Sequence, residues 1–225
     1  MIQRVYEKAR SSNAESVYVA TDNEQIAESV LQIDGQVIMT SEQHESGTDR
    51  IHEAALSLGL EDDEIVVNVQ GDEPLIPVDA INQVAELLSG DARMATLMTS
   101  INHSEEIFDP NIVKVVTDDA GRALYFSRAP IPWSRAEFDQ GKKAVDDLQG
   151  WHRHLGIYSY RMSLLKDFVT WPTAGLERTE SLEQLRVLAN GEPVQIARSL
   201  VDIPPGVDTP EDVSHVLDVL AGEPR

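Results

Sequence analysis

Between Ser16 and Leu88 the chain alternates short apolar runs with longer amphipathic ones, and this rhythm restricts the fold more than any other feature. SVYVATD (Ser16–Asp22), QVIMTS (Gln36–Ser41) and the run Ile65–Val69 within EIVVNVQGDEP each have the length of one buried strand. Between and after them the spacing predicts helices over Asn23–Ile33, Thr48–Leu58 and Val78–Leu88. Strands separated by helices are too far apart in sequence for hairpins, so helical crossovers return each one parallel to the last. The pattern therefore predicts a Rossmann-like α/β fold, with a mixed, mainly parallel, doubly wound sheet. Ile2, Val5, Tyr6 and Ala9 at helical spacing place a helix at the start, with no strand before it.

From Arg93 the rhythm changes. MATLMTSI, IVKVVTD, ALYFSRA and HLGIYSYR read as strands joined without long helices, which predicts a small antiparallel lobe within about residues 93–190. The stretch from Pro130 to Trp151 has no period and reads as a loop. A helix over Arg178–Ala189, a strand over Pro193–Ser199 and a helix after Pro210 complete the chain. No repeat or linker divides residues 1–225, so a single domain is expected.

Charge limits the partners. With 39 acidic and 18 basic residues the formal charge is −21, a surface that repels nucleic acid. Anionic small-molecule substrates would require the site to gather its few Arg, Lys and His side chains, with a cation such as Mg2+ beside them. The absence of cysteine removes disulfide and thiolate chemistry and suits the cytoplasm. No apolar run is long enough for membrane insertion, and no signal-peptide pattern is present.

The most informative local pattern is VNVQGDEP, in which an apolar strand ends in Gln70, Gly71, Asp72 and Glu73. Open α/β sheets bind ligands beyond the carboxyl ends of their strands. There Asp72 offers a hard oxygen suited to Mg2+, or it caps the turn before Pro74. In PPGVDTPED, Asp208 offers a second carboxylate, or it and Thr209 cap the helix that Pro210 begins. Two carboxylates completed by substrate phosphates are an ordinary Mg2+ site, and spacing alone leaves these readings open. No GxGxxG follows a strand, which disfavours a nicotinamide dehydrogenase.

HESGTDR (His44–Arg50), VNVQGDEP, FSRAPIPW (Phe126–Trp133), RHLGIYSYR (Arg153–Arg161), ESLEQLR (Glu180–Arg186) and GVDTPED (Gly206–Asp212) occur in the order found in one family. The chain resembles the 3-deoxy-manno-octulosonate cytidylyltransferases, or CMP-Kdo synthetases, from Met1 almost to Arg225. The resemblance implies a nucleotide-diphospho-sugar transferase fold and a homodimer. It also implies the reaction of CTP with Kdo to give CMP-Kdo and pyrophosphate for lipopolysaccharide assembly. Asp72 and Asp208 match the family's Mg2+ ligands and so its catalytic pair. Ala20, Thr21, Asp22, His44, Ser46, Gly47 and Thr48 match residues beside the cytidine of CTP. Gln70, Arg128, His154, Tyr158, Glu180 and Gln184 match the sugar-acid pocket.

The residue types suit these roles. A guanidinium or imidazole answers a carboxylate, and Glu or Gln answers hydroxyls. Glu180 and Gln184 stand at i and i+4, on one face of the expected helix, and His154 and Tyr158 on one side of the expected strand. The family's opening strand and its loop, resembling PARxxSxRxPGK, have no match in this sequence, and Met1 aligns inside the helix that follows them. The reading therefore expects a sheet without its usual first central strand and a site without its main triphosphate cations. Competing readings change the sugar to 8-amino-Kdo or a nonulosonic acid, or make the chain a non-catalytic binding subunit.

Overall fold

The computed structural model describes residues 1–44, 46–88, 90–138, 147–207 and 209–222. Helix α1 (Ile2–Arg10) buries Val5 and Tyr6. Strands β1 (Val19–Thr21) and β2 (Val37–Met39) pair in parallel through the crossover helix α2 (Glu24–Leu31). Asn23 fixes the start of α2, since its side chain accepts from the N–H groups of Gln25 and Ile26. Helix α3 (Gly47–Ser57), strand β3 (Ile65–Asn68) and helix α4 (Val78–Glu86) continue the expected alternation.

A six-stranded sheet follows, built from β3 with β4 (Met94–Ser100), β5 (Lys114–Thr117), β6 (Ala123–Ser127), β7 (His152–Arg161) and β8 (Val194–Arg198). Its order is β6-β5-β7-β4-β8, with β3 also on β7. Strand β7 runs antiparallel to β3, β4 and β5, while β4 and β8 are parallel. Four strands thus share one direction, and β7 and β6, which is antiparallel to β5, oppose them. The sheet is mixed, as expected. Antiparallel pairing takes a larger share of it than the sequence rhythm suggests, because one long reversed strand borders three others. Strand β1 pairs only with β2 and β3 only with β7, so each keeps an edge without a ladder among the described residues. Val17–Ala20, read as buried from sequence, are accordingly half-buried.

Apolar clusters cover both faces of the sheet. One gathers Met94, Phe126, Leu165, Leu185 and Val194, and the other Ile81, Leu97, Leu155, Ile157 and Ile203. The alternation of Met94 with Leu97 on β4, and of Leu155 with Tyr158 on β7, divides each strand between them.

Several short helices were not legible from sequence. Helices α5 (Ser104–Phe108) and α7 (Met162–Phe168) are brief, and α6 (Arg135–Phe138) lies in the stretch read as a loop. The helix expected over Arg178–Ala189 is two helices, α8 (Gly175–Glu180) and α9 (Leu185–Ala189). The break is Ser181, whose φ of 53° is left-handed and stops the helical ladder. Glu180 ends α8 and Gln184 caps α9, so the two do not share a helix face. Helix α10 (Pro210–Gly222) ends the described chain.

Glu177 and Arg186 join α8 to α9. The Arg186 Nε and Nη2 donate to the Glu177 carboxylate at 2.9 and 2.6 Å, and the guanidinium lies 4.2 Å from the Phe168 ring centroid. Both partners are buried. Removing one leaves an uncompensated buried charge, so Glu177→Ala is expected to lower the unfolding free energy by roughly 3 kcal/mol. Urea denaturation should also show Glu177→Leu combined with Arg186→Met recovering most of that loss, whereas equal losses for the single and double variants would contradict this role.

Candidate active site

Strand β7 creates the main cavity. On one edge it pairs with β4, and on the other with β3 at Tyr158–Arg161 and β5 at His152 and Arg153. Between those last two ladders this edge of β7 has no strand partner among the described residues, although the His154 N–H donates to the Val113 carbonyl at 2.8 Å. A register shift against β4 falls at the same place, between Thr96 and Leu97, and accommodates the extra residues Gly156 and Ile157. The resulting cavity, of about 460 Å3, is lined by Gln70, Asn111, His154, Gly156, Tyr158 and Gln184 together with the loop Ile203–Gly206.

Thr96 holds this irregularity. It is fully buried, and its hydroxyl lies 2.8 Å from the Ile157 carbonyl and 3.1 Å from that of Leu155. Carbonyls only accept, so the hydroxyl donates to them and the Nε2 of His154, 2.9 Å away, donates to Thr96 Oγ1. The imidazole proton therefore sits on Nε2, and Nδ1 is left as an acceptor. Phe126 and Tyr158 pack against the ring at centroid distances of 4.9 and 5.3 Å. Burial pushes the His154 pKa down to about 3, so the ring is neutral at ordinary pH. Burial also pushes the Tyr158 phenol up from its ordinary value, with Glu183 adding to the effect.

Four of the residues expected at the sugar acid, Gln70, His154, Tyr158 and Gln184, line this cavity. Arg128 and Glu180 are not among its lining residues. The Glu180 carboxylate accepts from the Ser127 hydroxyl at 2.6 Å and the Arg128 N–H at 3.0 Å. Although burial opposes it, these bonds hold the Glu180 carboxyl below its ordinary pKa. The Arg128 guanidinium donates to the carbonyls of Glu180 at 2.8 Å and Pro110 at 2.9 Å. Lys114, wholly buried, donates to the carbonyls of Asp109 and Ile112. Together these groups fix the loop 109–112 that forms one wall of the cavity.

The residues expected near the cytidine form a second cluster at the carboxyl ends of β1 and β2. Arg50 of α3 donates to Asp22 at 2.6 Å and to Thr40 at 2.5 Å, tying both strands to the helix, and this bond lowers the Asp22 pKa. Ala20 and Thr21 lie on β1. Ser46 caps α3 by accepting from the Asp49 N–H at 3.1 Å, and His44 contacts Glu53. Gly47 and Thr48 open that helix, and the Thr48 N–H donates to Glu183 at 3.1 Å. Glu183 adjoins Gln184 in the chain, so the two clusters touch through neighbouring residues.

Asp72 follows β3 and meets the distant segment that contains the other expected metal ligand. The Val207 N–H donates to the Asp72 carbonyl at 2.9 Å, and Gly206 lines the cavity. A Cβ at Gly206 would come within 3.3 Å of the Asp72 carbonyl and 3.2 Å of Glu73 Oε1, tighter than an ordinary contact, so glycine eases this approach. Asp208 lies outside the described residues. Among the described residues no group of three or more acidic or histidine side chains could hold a metal. Sequence reading missed Thr96; its signal is a hydroxyl inside the apolar run MATLM.

Comparison with known proteins adds a family context. A family described as cytidylyltransferase matches residues 1–196. The 3-deoxy-manno-octulosonate cytidylyltransferase of Saccharophagus degradans is 54% identical over 222 residues, covering 96% of this chain and 86% of that protein. That of Cellvibrio japonicus is 53% identical over 223 residues, covering 98% and 88%. A solved CMP:2-keto-3-deoxy-manno-octonic acid synthetase complexed with CTP matches with a TM-score of 0.86 at 35% identity, covering 98% and 87%. A 4-diphosphocytidyl-2C-methyl-D-erythritol synthase from Anaerococcus prevotii, at a TM-score of 0.61 and 11% identity over 98% of this chain and 86% of that one, shares the fold.

The His154 environment predicts a pH effect. An unfolded imidazole titrates near 6.5 and the folded one near 3, so between these values the unfolded state binds the extra proton. Stability is therefore lost as pH falls below the unfolded value, by up to about 1.4 kcal/mol per pH unit. Urea unfolding of His154→Gln between about pH 6 and 4 is expected to show a slope shallower by that amount. An unchanged slope would contradict the neutral, desolvated ring.

Proposed function

The chain belongs to the 3-deoxy-manno-octulosonate cytidylyltransferase family, and on that premise we propose that it joins the CMP unit of CTP to Kdo, releasing pyrophosphate. One observation supports this reading above others: the cavity at the open edge of β7 adjoins Gly206, whose neighbour Val207 is hydrogen-bonded to Asp72. A sugar acid in that cavity would therefore lie next to the strand end expected to carry the nucleotide phosphates.

The anomeric hydroxyl of Kdo displaces pyrophosphate from the α-phosphorus, forming one O–P bond as another breaks. Such a transfer needs positioning and charge neutralisation more than covalent catalysis. Gln70 and Gln184 can bond sugar hydroxyls as donors or acceptors, and the neutral His154 offers Nδ1 as an acceptor. Tyr158, kept protonated by its surroundings, offers a donor. Asp22 and the α3 entrance from His44 to Thr48 form the nucleotide side of the site.

Mg2+ fits the Asp72 end of the site on two grounds. Carboxylate oxygens are its natural ligands, and the close approach of Gly206 brings the segment leading to Asp208 against Asp72. Asp72 and Asp208 would hold the ion, and when bound it would neutralise charge on the α-phosphate and orient the attacking hydroxyl. Arg128 and Glu180 hold the cavity wall through their bonds to each other and to the Pro110 carbonyl.

The remaining setting is part of the same proposal. Kdo activation would serve lipopolysaccharide assembly, and the absence of cysteine is compatible with cytoplasmic work. No helix among the described residues is long and apolar enough to cross a membrane. Association of two copies as a homodimer is proposed on the family resemblance alone.

Pyrophosphate release from CTP, measured with Kdo, 8-amino-Kdo and a sialic acid, tests the substrate. Kdo is expected to give the highest kcat/KM, and dependence on Mg2+ is expected throughout. Asp72→Asn and Asp208→Asn should each lower kcat by about 100-fold or more while leaving Tm unchanged. Near-native, Mg2+-dependent rates in both variants would remove these residues from the metal site, and preference for another sugar acid would overturn the substrate.

A further inference from the structure

The charge around the cavity raises a question that the residues matched to the family do not answer. The sugar acid brings a carboxylate into a protein of net charge −21, and Glu73 adds a carboxylate to the cavity wall. Opposing positive charge has to come from a side chain within reach. His154 does not supply it, because the ring is neutral. Arg128 and Lys114 direct their donors to backbone carbonyls of the wall.

Arg153 is the only lysine or arginine among the described residues that line the cavity. It sits on β7 where the β5 ladder ends, opposite Lys114 on one side and Thr99 on the other. It is half-buried, yet its guanidinium makes no hydrogen bond or ion pair with any described residue. The other arginines that are half-buried or more behave differently. Arg50 and Arg93 pair with carboxylates, Arg128 and Arg161 donate to carbonyls, and Arg186 pairs with Glu177. A partly desolvated guanidinium with unused donors costs free energy unless a ligand supplies the acceptors.

The geometry points to Arg153 as the residue that takes the carboxylate of the sugar acid and so selects acids over neutral sugars. The assignment rests on the cytidylyltransferase reading above. A guanidinium grips a carboxylate through two parallel N–H···O bonds, which fixes orientation as well as position. In a 2-keto acid the carboxylate is attached to the anomeric carbon. Holding it therefore also fixes the adjacent hydroxyl that attacks phosphorus.

The test compares Kdo with its methyl ester, in which the charge is removed, using pyrophosphate release by the full chain. Wild type is expected to prefer the acid strongly. Arg153→Gln should raise KM for Kdo by about 10- to 100-fold, leave KM for CTP unchanged and abolish the preference for acid over ester. Arg153→Lys keeps the charge but loses the paired geometry, so its preference should fall between the two. Should thermal melting show that Arg153→Gln folds poorly, the preference of Arg153→Lys decides: a severalfold reduction supports the assignment and a wild-type ratio overturns it. Wild-type preference retained by a folded Arg153→Gln overturns the Arg153 assignment alone. A wild type that releases pyrophosphate with neither compound overturns the underlying reading of the site.

Discussion

The loss of register between β4 and β7 governs the site. At Thr96 two residues are added to β7, and one buried hydroxyl compensates by bonding the displaced carbonyls and the His154 ring. Without the shift, β7 would run straight between its neighbours and its open edge would be shorter. With it, Gly156 and Ile157 bulge toward the space between β3 and β5, and the cavity forms there. Bulges commonly re-aim strand residues beside active sites, and here the hydroxyl at the shift also bonds the ring of a cavity-lining histidine.

Around that cavity the scarce positive charge falls into separate tasks. Arg186 and Arg93 clamp elements together, Arg50 ties the β1 and β2 ends to α3, and Arg128 and Lys114 hold a loop by its carbonyls. Only Arg153 among these lines the cavity with its donors unused by the described residues. In so acidic a chain, this division of labour limits how many cations can meet an anionic substrate.

Much of the fold was legible in the sequence because the first half obeys simple periods. The helices expected from Asn23 and from Thr48 follow from their period, and the structure starts them at Glu24 and Gly47 after the caps Asn23 and Ser46. The parallel β1–β2 pair follows from the crossover between the two strands. The break at Ser181 was not legible, since a serine in left-handed conformation carries no local signal of the kind glycine gives. That single residue separates Glu180 from Gln184, leaving one to brace Arg128 and the other to line the cavity. The short helices α5, α6 and α7 escaped for a different reason. Each is too brief to display a period, and tertiary packing rather than propensity holds it.

Within the site, the His154–Tyr158 pairing was readable from strand spacing, and the rings do meet. The approach of Gly206 and Val207 to Asp72 was not, because sequence spacing says nothing about where distant loops converge. The most direct measurement of the central claim is a crystal structure of the protein with CMP-Kdo. The account predicts the sugar along the open edge of β7, beside His154, Tyr158 and Gln184, with its phosphate toward Asp72. A product bound elsewhere, with that cavity filled only by water, would contradict it.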